Sequence, residues 1–314
     1  MKSRVHSTYK TKYHVANWAS YDRALVRRGD VTVWLSPEAI AAWKPARSGT
    51  RGGQRKYSDL AIDTALTLRL LFHLPLRQAE GFLHSLVAML GLELSAPDHT
   101  TLSRRGQGLD LTLHRVPPNE RIHLIVDSTG LSIVGEGEWA AAKHGRRGRQ
   151  GWKTLHLGVD RTGVIIAQAL TDATVDDAAI GITLIGEVDG ALASVTGDAA
   201  YDTIAFYDAA AARGTRVVVP PTKTARVSRR RPRSSARDRT ITTVKTIGRR
   251  RWKKVSGYHR QARVENAFFR YTSIIGHGLR ARTPEGQAAE ALLACNVLNQ
   301  MAELERPESY RIGR

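Results

Sequence analysis

The sequence predicts an α/β protein, with a mixed sheet in its second half and a helical region before it. After Pro117 and Pro118 the apolar residues come in short runs, first in hairpin order and then alternating with helical segments. That succession describes a mixed sheet. Before those prolines, apolar residues recur at helical spacing behind Ser and Asp caps, which gives the helical region. Charge is the third observation. With 48 Lys+Arg against 29 Asp+Glu in 314 residues, the net charge is +19 and the pI about 10.6. Such an excess points to a polyanionic partner, nucleic acid first and an anionic membrane surface second.

Residues 1–46 read as an N-terminal arm and a small α/β segment. Residues 1–16 are polar, basic and aperiodic; "NWASYDRALVRRGD" is helical, "VTVWL" extended, and "SPEAIAAW" a short helix with Ser36 as N-cap and Pro37 in its first turn. Arg47 to Ser58 is a glycine-rich, basic linker. Residues 47–116 then supply three helices. "SDLAIDTALTLRLLFHL" is capped by Ser58 and shows an apolar face of Leu60, Ala61, Ala65, Leu68 and Phe72; "PLRQAEGFLHSLVAMLGL" follows; Asp98 caps a third that carries Arg104 and Arg105. A basic third helix suits a helix-turn-helix-like DNA-binding module, although small helical bundles are common.

Residues 119–314 hold the sheet. "IHLIVDS", "LSIVG", "KTLHLGVD" and "GVIIAQAL" are strands, with Ser128-Thr129-Gly130 turning the chain after the first and Asp160 to Gly163 as a hairpin turn. Asp177 opens a helix, "ALASVTGD" is a strand, "YDTIAFYDAAAARG" is a helix begun at Asp202 and ended by Gly214, and "TRVVVPP" is a further strand. A basic insertion occupies 221–256. From Lys223 to Lys254 it is irregular and sets fourteen Lys/Arg against one acid, Asp238, which is thirteen of the nineteen net charges. Gln261 to about Ile275 is helical again, and "PEGQAAEALLACNVLNQMAELE" is a final long helix.

The apolar run that ends at Asp127 raises a chemical question. An aspartate there is either a turn or capping residue or a metal ligand, and a ligand needs acidic partners. Asp198, directly after the strand "ALASVTG", is one. Glu265 is another: on its helix it interrupts an apolar arc that includes Phe268 and Phe269, where a carboxylate loses hydration unless it is paired or bound to a cation. Three hard oxygen ligands suit Mg²⁺. Two such ions, with Mn²⁺ as a substitute, support phosphoryl transfer.

Other chemistries are disfavoured. Cys295 is the only cysteine, so no disulfide and no cysteine-built zinc site forms, and the 11 His residues show no metal-binding spacing. His123 and His144 are read as structural or phosphate-contacting. No apolar run reaches the ~20 residues that span a bilayer, and the start of the chain lacks a signal peptide, so a cytoplasmic, nucleoid-associated protein is expected. The expected DNA contacts are Arg104 and Arg105, Lys143, Arg146, Arg147, Arg149 and Lys153, then Arg229, Arg230, Arg231, Arg249, Arg250, Arg251, Lys253 and Lys254 from the insertion. Trp152 either stacks on an unpaired base or packs on the sheet, as does Trp252.

Taken together, "LIVDSTGL" with "GEGEW", "GDAAYD" and "GYHRQARVENAFFR" resemble the DDE transposases of bacterial insertion sequences, specifically family five. "VTVWLSPEAIAAW", "PDHTTLSRR" and "ESYRI" extend the resemblance over nearly the whole chain. It implies an RNase H-like catalytic core, an N-terminal helical DNA-binding domain that reads terminal inverted repeats, and Mg²⁺-dependent strand cleavage and transfer on double-stranded DNA by a dimer or larger assembly. Its acidic triad falls on Asp127, Asp198 and Glu265. Around the glutamate, Tyr258 matches the family pattern, while Gln261 stands where Arg is expected and Thr272 where Lys is expected. Tyr258, Arg260, Arg263 and Arg270 complete the expected DNA contacts. A nuclease of the same fold without strand transfer, and a silent DNA-binding repressor, are the competing readings.

Overall fold

The computed structural model describes residues 13–46, 49, 52–114, 120–134, 151–228 and 235–311. Strand β1 (Tyr13–Val15) pairs antiparallel with β8 (Ser309–Arg311), so this end of the expected arm is tied to the other end of the chain. Helix α1 (Trp18–Arg27) follows as expected. "VTVWL" is not extended: Val31–Trp34 form a helical turn, α2. Asp30 accepts from the Thr32 backbone N–H and hydroxyl, and the Trp34 indole N–H donates to the Arg28 carbonyl at 3.0 Å. Cap and anchor together override the strand preference of Val and Thr.

Helices α3 (Pro37–Ala41), α4 (Asp59–Leu71) and α6 (His99–Gly106) are capped by Ser36, Ser58 and Asp98, each accepting a backbone N–H in the first turn; α5 (Leu76–Met89) lies between the last two. The buried face of α4 is Ala61, Ile62, Ala65 and Leu68, while Leu60 and Phe72 face outward. The expected face therefore holds at Ala61, Ala65 and Leu68 and shifts at its edges, losing Leu60 and Phe72 and gaining Ile62. Tertiary contacts on two sides of α4 bury a wider arc than one stripe.

The central strand β2 (Ile122–Ile133) runs straight through Ser128-Thr129-Gly130. No turn forms there. Its antiparallel partner is β3 (Trp152–Val159), with Asp127 opposite Leu157 and Leu131 opposite Lys153. Continuous pairing with a distant strand satisfies the backbone groups of these residues that face it and holds the chain extended. Strand β4 (Ile165–Asp172) extends the antiparallel half, whereas β5 (Leu192–Thr196) and β6 (Arg216–Val218) are parallel, in the order β4-β3-β2-β5-β6. Strand β7 (Gly278–Leu279) pairs only with the far end of β2.

Alternation along β2 feeds two cores. Ile125 and Leu131 face α11 (Ala262–Ile274) and α12 (Pro284–Leu304), while Leu124 and Val126 face α7 (Asp177–Glu187) and α8 (Ile204–Ala212). The mixed sheet with helices on both faces is the RNase H-like core. The basic insertion is irregular over 221–228, as expected, but not beyond: it forms α9 (Ser235–Ile247) and α10 (Arg249–Ser256). Asp202 does not begin α8, whose cap is Thr203. Buried, it pairs with Arg237 of α9 at 2.8 Å and accepts the Thr222 N–H at 2.8 Å. Among the described residues no helix is long and apolar enough to cross a membrane.

Candidate active site

A gap in the sheet creates the site. Strand β5 pairs with β2 only as far as Ile125 opposite Thr196, and β7 begins only at Ser132 opposite Gly278. Between them this edge of β2 meets no strand among the described residues. Asp127 stands at the start of the gap. Asp198 lies just past the end of β5, in a 3-10 turn over Ala199–Tyr201, and accepts the Ala200 N–H at 2.8 Å. Ligand sites in such sheets collect where parallel strands end and diverge.

Gln261, buried at the head of α11, fills the gap from the third side. Its Nε2 donates to the Val126 carbonyl at 3.2 Å, satisfying a backbone group that no strand reaches, and its amide lowers the ionisation of the Asp127 carboxyl. Glu265 is one helical turn further along α11 and shares its face. Glu265 is solvent-exposed, as is Phe269, while Val264, Ala267, Phe268 and Tyr271 are buried. The expected loss of hydration at Glu265 is thus corrected: α11 turns its apolar stripe to the core and leaves the glutamate at the open rim.

The electrostatics mark the meeting of the three acids. Burial pushes the Asp127 carboxyl up to about 6; the charges of Asp198 and Glu265 add to this, while hydrogen bonds from the Ser128 N–H and Gln261 oppose it. Tyr258 is raised by burial first and then by Asp198, Asp127 and Glu265 in turn. Tyr201, which sequence reasoning missed, lies beneath the site. Its ring packs on Gly197 and Gly181, its hydroxyl is buried without a partner, and burial followed by the Asp127 charge raises its ionisation. The "GDAAYD" motif contains it, so the signal was present.

Two family models, each describing a transposase DDE domain, match this chain, one over residues 118–300 and the other over residues 26–136. The first covers more than half of the sequence, including all three acids. The chain belongs to the DDE transposases. Members of this family use divalent metal ions, and the donor set of this transposase fits them: the hard carboxylates Asp198 and Glu265 act electrostatically on the Asp127 carboxyl, and the Gln261 Oε1 and Tyr201 hydroxyl are buried without partners. Among the described residues, no group of three acids or histidines is yet close enough to enclose one ion.

The expected DNA contacts divide by environment. Lys143, Arg146, Arg147, Arg149, Arg229, Arg230 and Arg231, with His144, lie outside the described residues. Arg105 is committed internally, paired to Asp59 and donating to the Tyr57 carbonyl. Lys153 pairs with Asp172 at 2.6 Å, Arg249 donates to the Pro221 carbonyl, and Arg270, half-buried with its ionisation pushed down to about 10, donates to the Leu298 carbonyl at 2.6 Å. Arg104, Arg250, Arg251, Lys254 and Arg263 are exposed. Arg260 is also exposed and approaches His123 Nδ1 at 3.2 Å, which supports the structural reading of that histidine. Trp252 is buried and stacks near Tyr258, over whose ring Lys253 places its ammonium at 4.7 Å. Trp152 is about half exposed and lies over Gly130.

Proposed function

We propose that this transposase binds the terminal inverted repeats of an insertion sequence, cleaves a DNA strand there and joins the freed 3′-hydroxyl to target DNA. The observation that carries the reading is the gap in the sheet beside Asp127, whose carboxyl the charges of Asp198 and Glu265 raise. Asp127 and Asp198 would hold divalent metal, Mg²⁺ or its substitute Mn²⁺, with Glu265 completing the set from the rim. When bound, two such ions activate the attacking oxygen and stabilise the leaving one. Gln261 orients the Asp127 carboxylate, and Lys253 above Tyr258 together with the exposed cations of α10 attracts the phosphate backbone toward a site that would otherwise repel it. Joining two element ends calls for a dimer or larger assembly on DNA.

The substitution Asp127→Asn tests this. Cleavage of a labelled element end in Mg²⁺ is expected to disappear while binding to the same duplex persists; a variant that still cleaves rules the assignment out. Incubating the wild type with labelled ends and a target plasmid separates transposition, which gives joined products, from simple nuclease action, which does not.

A further inference from the structure

A second basic feature lies far from the carboxylates. Between α4–α6 and the start of α12 runs a groove of about 1280 Å³. Its floor is aliphatic, with Leu66, Leu70, Leu76, Leu102 and Leu293, and its rim carries Arg77, Arg104, Arg280 and Arg282. None of these four guanidinium groups has a carboxylate partner among the described residues.

The loop bearing Arg280 and Arg282 is held from behind. Buried Glu290 accepts the backbone N–H groups of Arg280 at 3.0 Å and Ala281 at 2.8 Å, and is itself balanced by buried Arg69 at 3.8 Å. Gln287 donates to the Ala281 carbonyl at 3.1 Å. Burying such a network is costly unless it is well satisfied. Here it fixes the backbone between two outward arginines.

Position supplies the remaining argument. Leu279, adjacent to Arg280, pairs with Ile133, six residues along β2 from Asp127. At ~3.3 Å per strand residue that is roughly 20 Å, or about six base pairs of duplex at ~3.4 Å each.

We propose that this groove binds the sugar-phosphate backbone of the same DNA duplex whose strand enters the carboxylate site, about six base pairs away from it. The rim arginines contact phosphates, and Leu76, the partly exposed leucine of the floor, packs against deoxyribose. This rests on the transposition reading above.

The test uses the full-length protein and a fluorescent duplex of about 30 base pairs, with affinity measured against salt concentration. Removing two phosphate contacts in the double variant Arg77→Ala/Arg282→Ala is expected to reduce the log–log salt slope by about 2. A control that removes equal charge elsewhere, Arg23→Ala/Arg27→Ala on exposed positions of α1, is expected to leave the slope unchanged. Equal losses in both variants would mean bulk charge alone, and an unchanged slope in the groove variant would assign the groove to another partner, such as an acidic protein surface; either outcome overturns the proposal. The transposition reading fails separately, when Asp127→Asn still cleaves.

Discussion

Gln261 shows how one residue departs from its family and keeps a role. An arginine there would bring a charge; the glutamine brings a neutral donor that reaches the Val126 carbonyl and the Asp127 carboxyl from a buried position. Gln261→Met keeps the length and removes the donor. Leaving the Val126 carbonyl unpaired costs about 1–3 kcal/mol, so cleavage is expected to fall about tenfold or more in a strand-cleavage assay, with DNA affinity unchanged and Gln261→Arg restoring much of the loss. Asp127 gives a second prediction. Its folded ionisation, about 6, lies above the unfolded value of 3.8, so the folded state holds the extra proton. That stabilisation is complete below about pH 4 and is lost as pH rises through about 6. The metal-free protein therefore melts at a lower temperature at pH 7 than at pH 5, and Asp127→Asn removes this part of the slope; equal slopes in both proteins would place the cause elsewhere.

The elements around the site depend on close approach. Helix α7 meets the 3-10 turn after Asp198 at Gly181, where a Cβ would come within 2.7 Å of Tyr201 and 2.9 Å of Phe206. Both neighbours are fully buried rings, so neither can swing away. Gly181→Ala is expected to cost about 1–3 kcal/mol by overpacking, measured by urea unfolding, and to lower cleavage by shifting the turn that carries Asp198. Most elements were legible at this scale because their signals are local. Ser36, Ser58 and Asp98 each cap a helix through a bond to a residue three positions on, and such a bond is written in the sequence. The turn at Ser128-Thr129-Gly130 was misread because what keeps β2 straight is β3, more than twenty residues later. The widened buried face of α4 has the same origin, since Ile62 is buried by residues far along the chain.

Across the whole molecule the helical region and the sheet are not separate bodies. Trp34, Trp43, Ile62 and Leu68 belong to one apolar cluster with Leu157, Leu298 and Met301, and β1 pairs with β8 at opposite ends of the chain. A fragment of residues 119–314 would expose the face of α12 that α4 covers. It is expected to lose its near-ultraviolet dichroism and to aggregate, whereas full-length protein does not; a folded, monomeric fragment would show that the core closes without the helices.

The sequence by itself determined the charge excess, the caps and most of the order of strand and helix, because composition, capping and periodicity act over a few residues. Only the tertiary structure decided that Asp127 borders a gap rather than ending a strand, that Glu265 stands at an open rim, and that Arg105, Lys153 and Arg270 are spent on internal partners. Each of these depends on groups far apart in sequence, such as Val126 and Gln261. Their pairing follows from which buried backbone and charged groups must be satisfied once the sheet and helices close together.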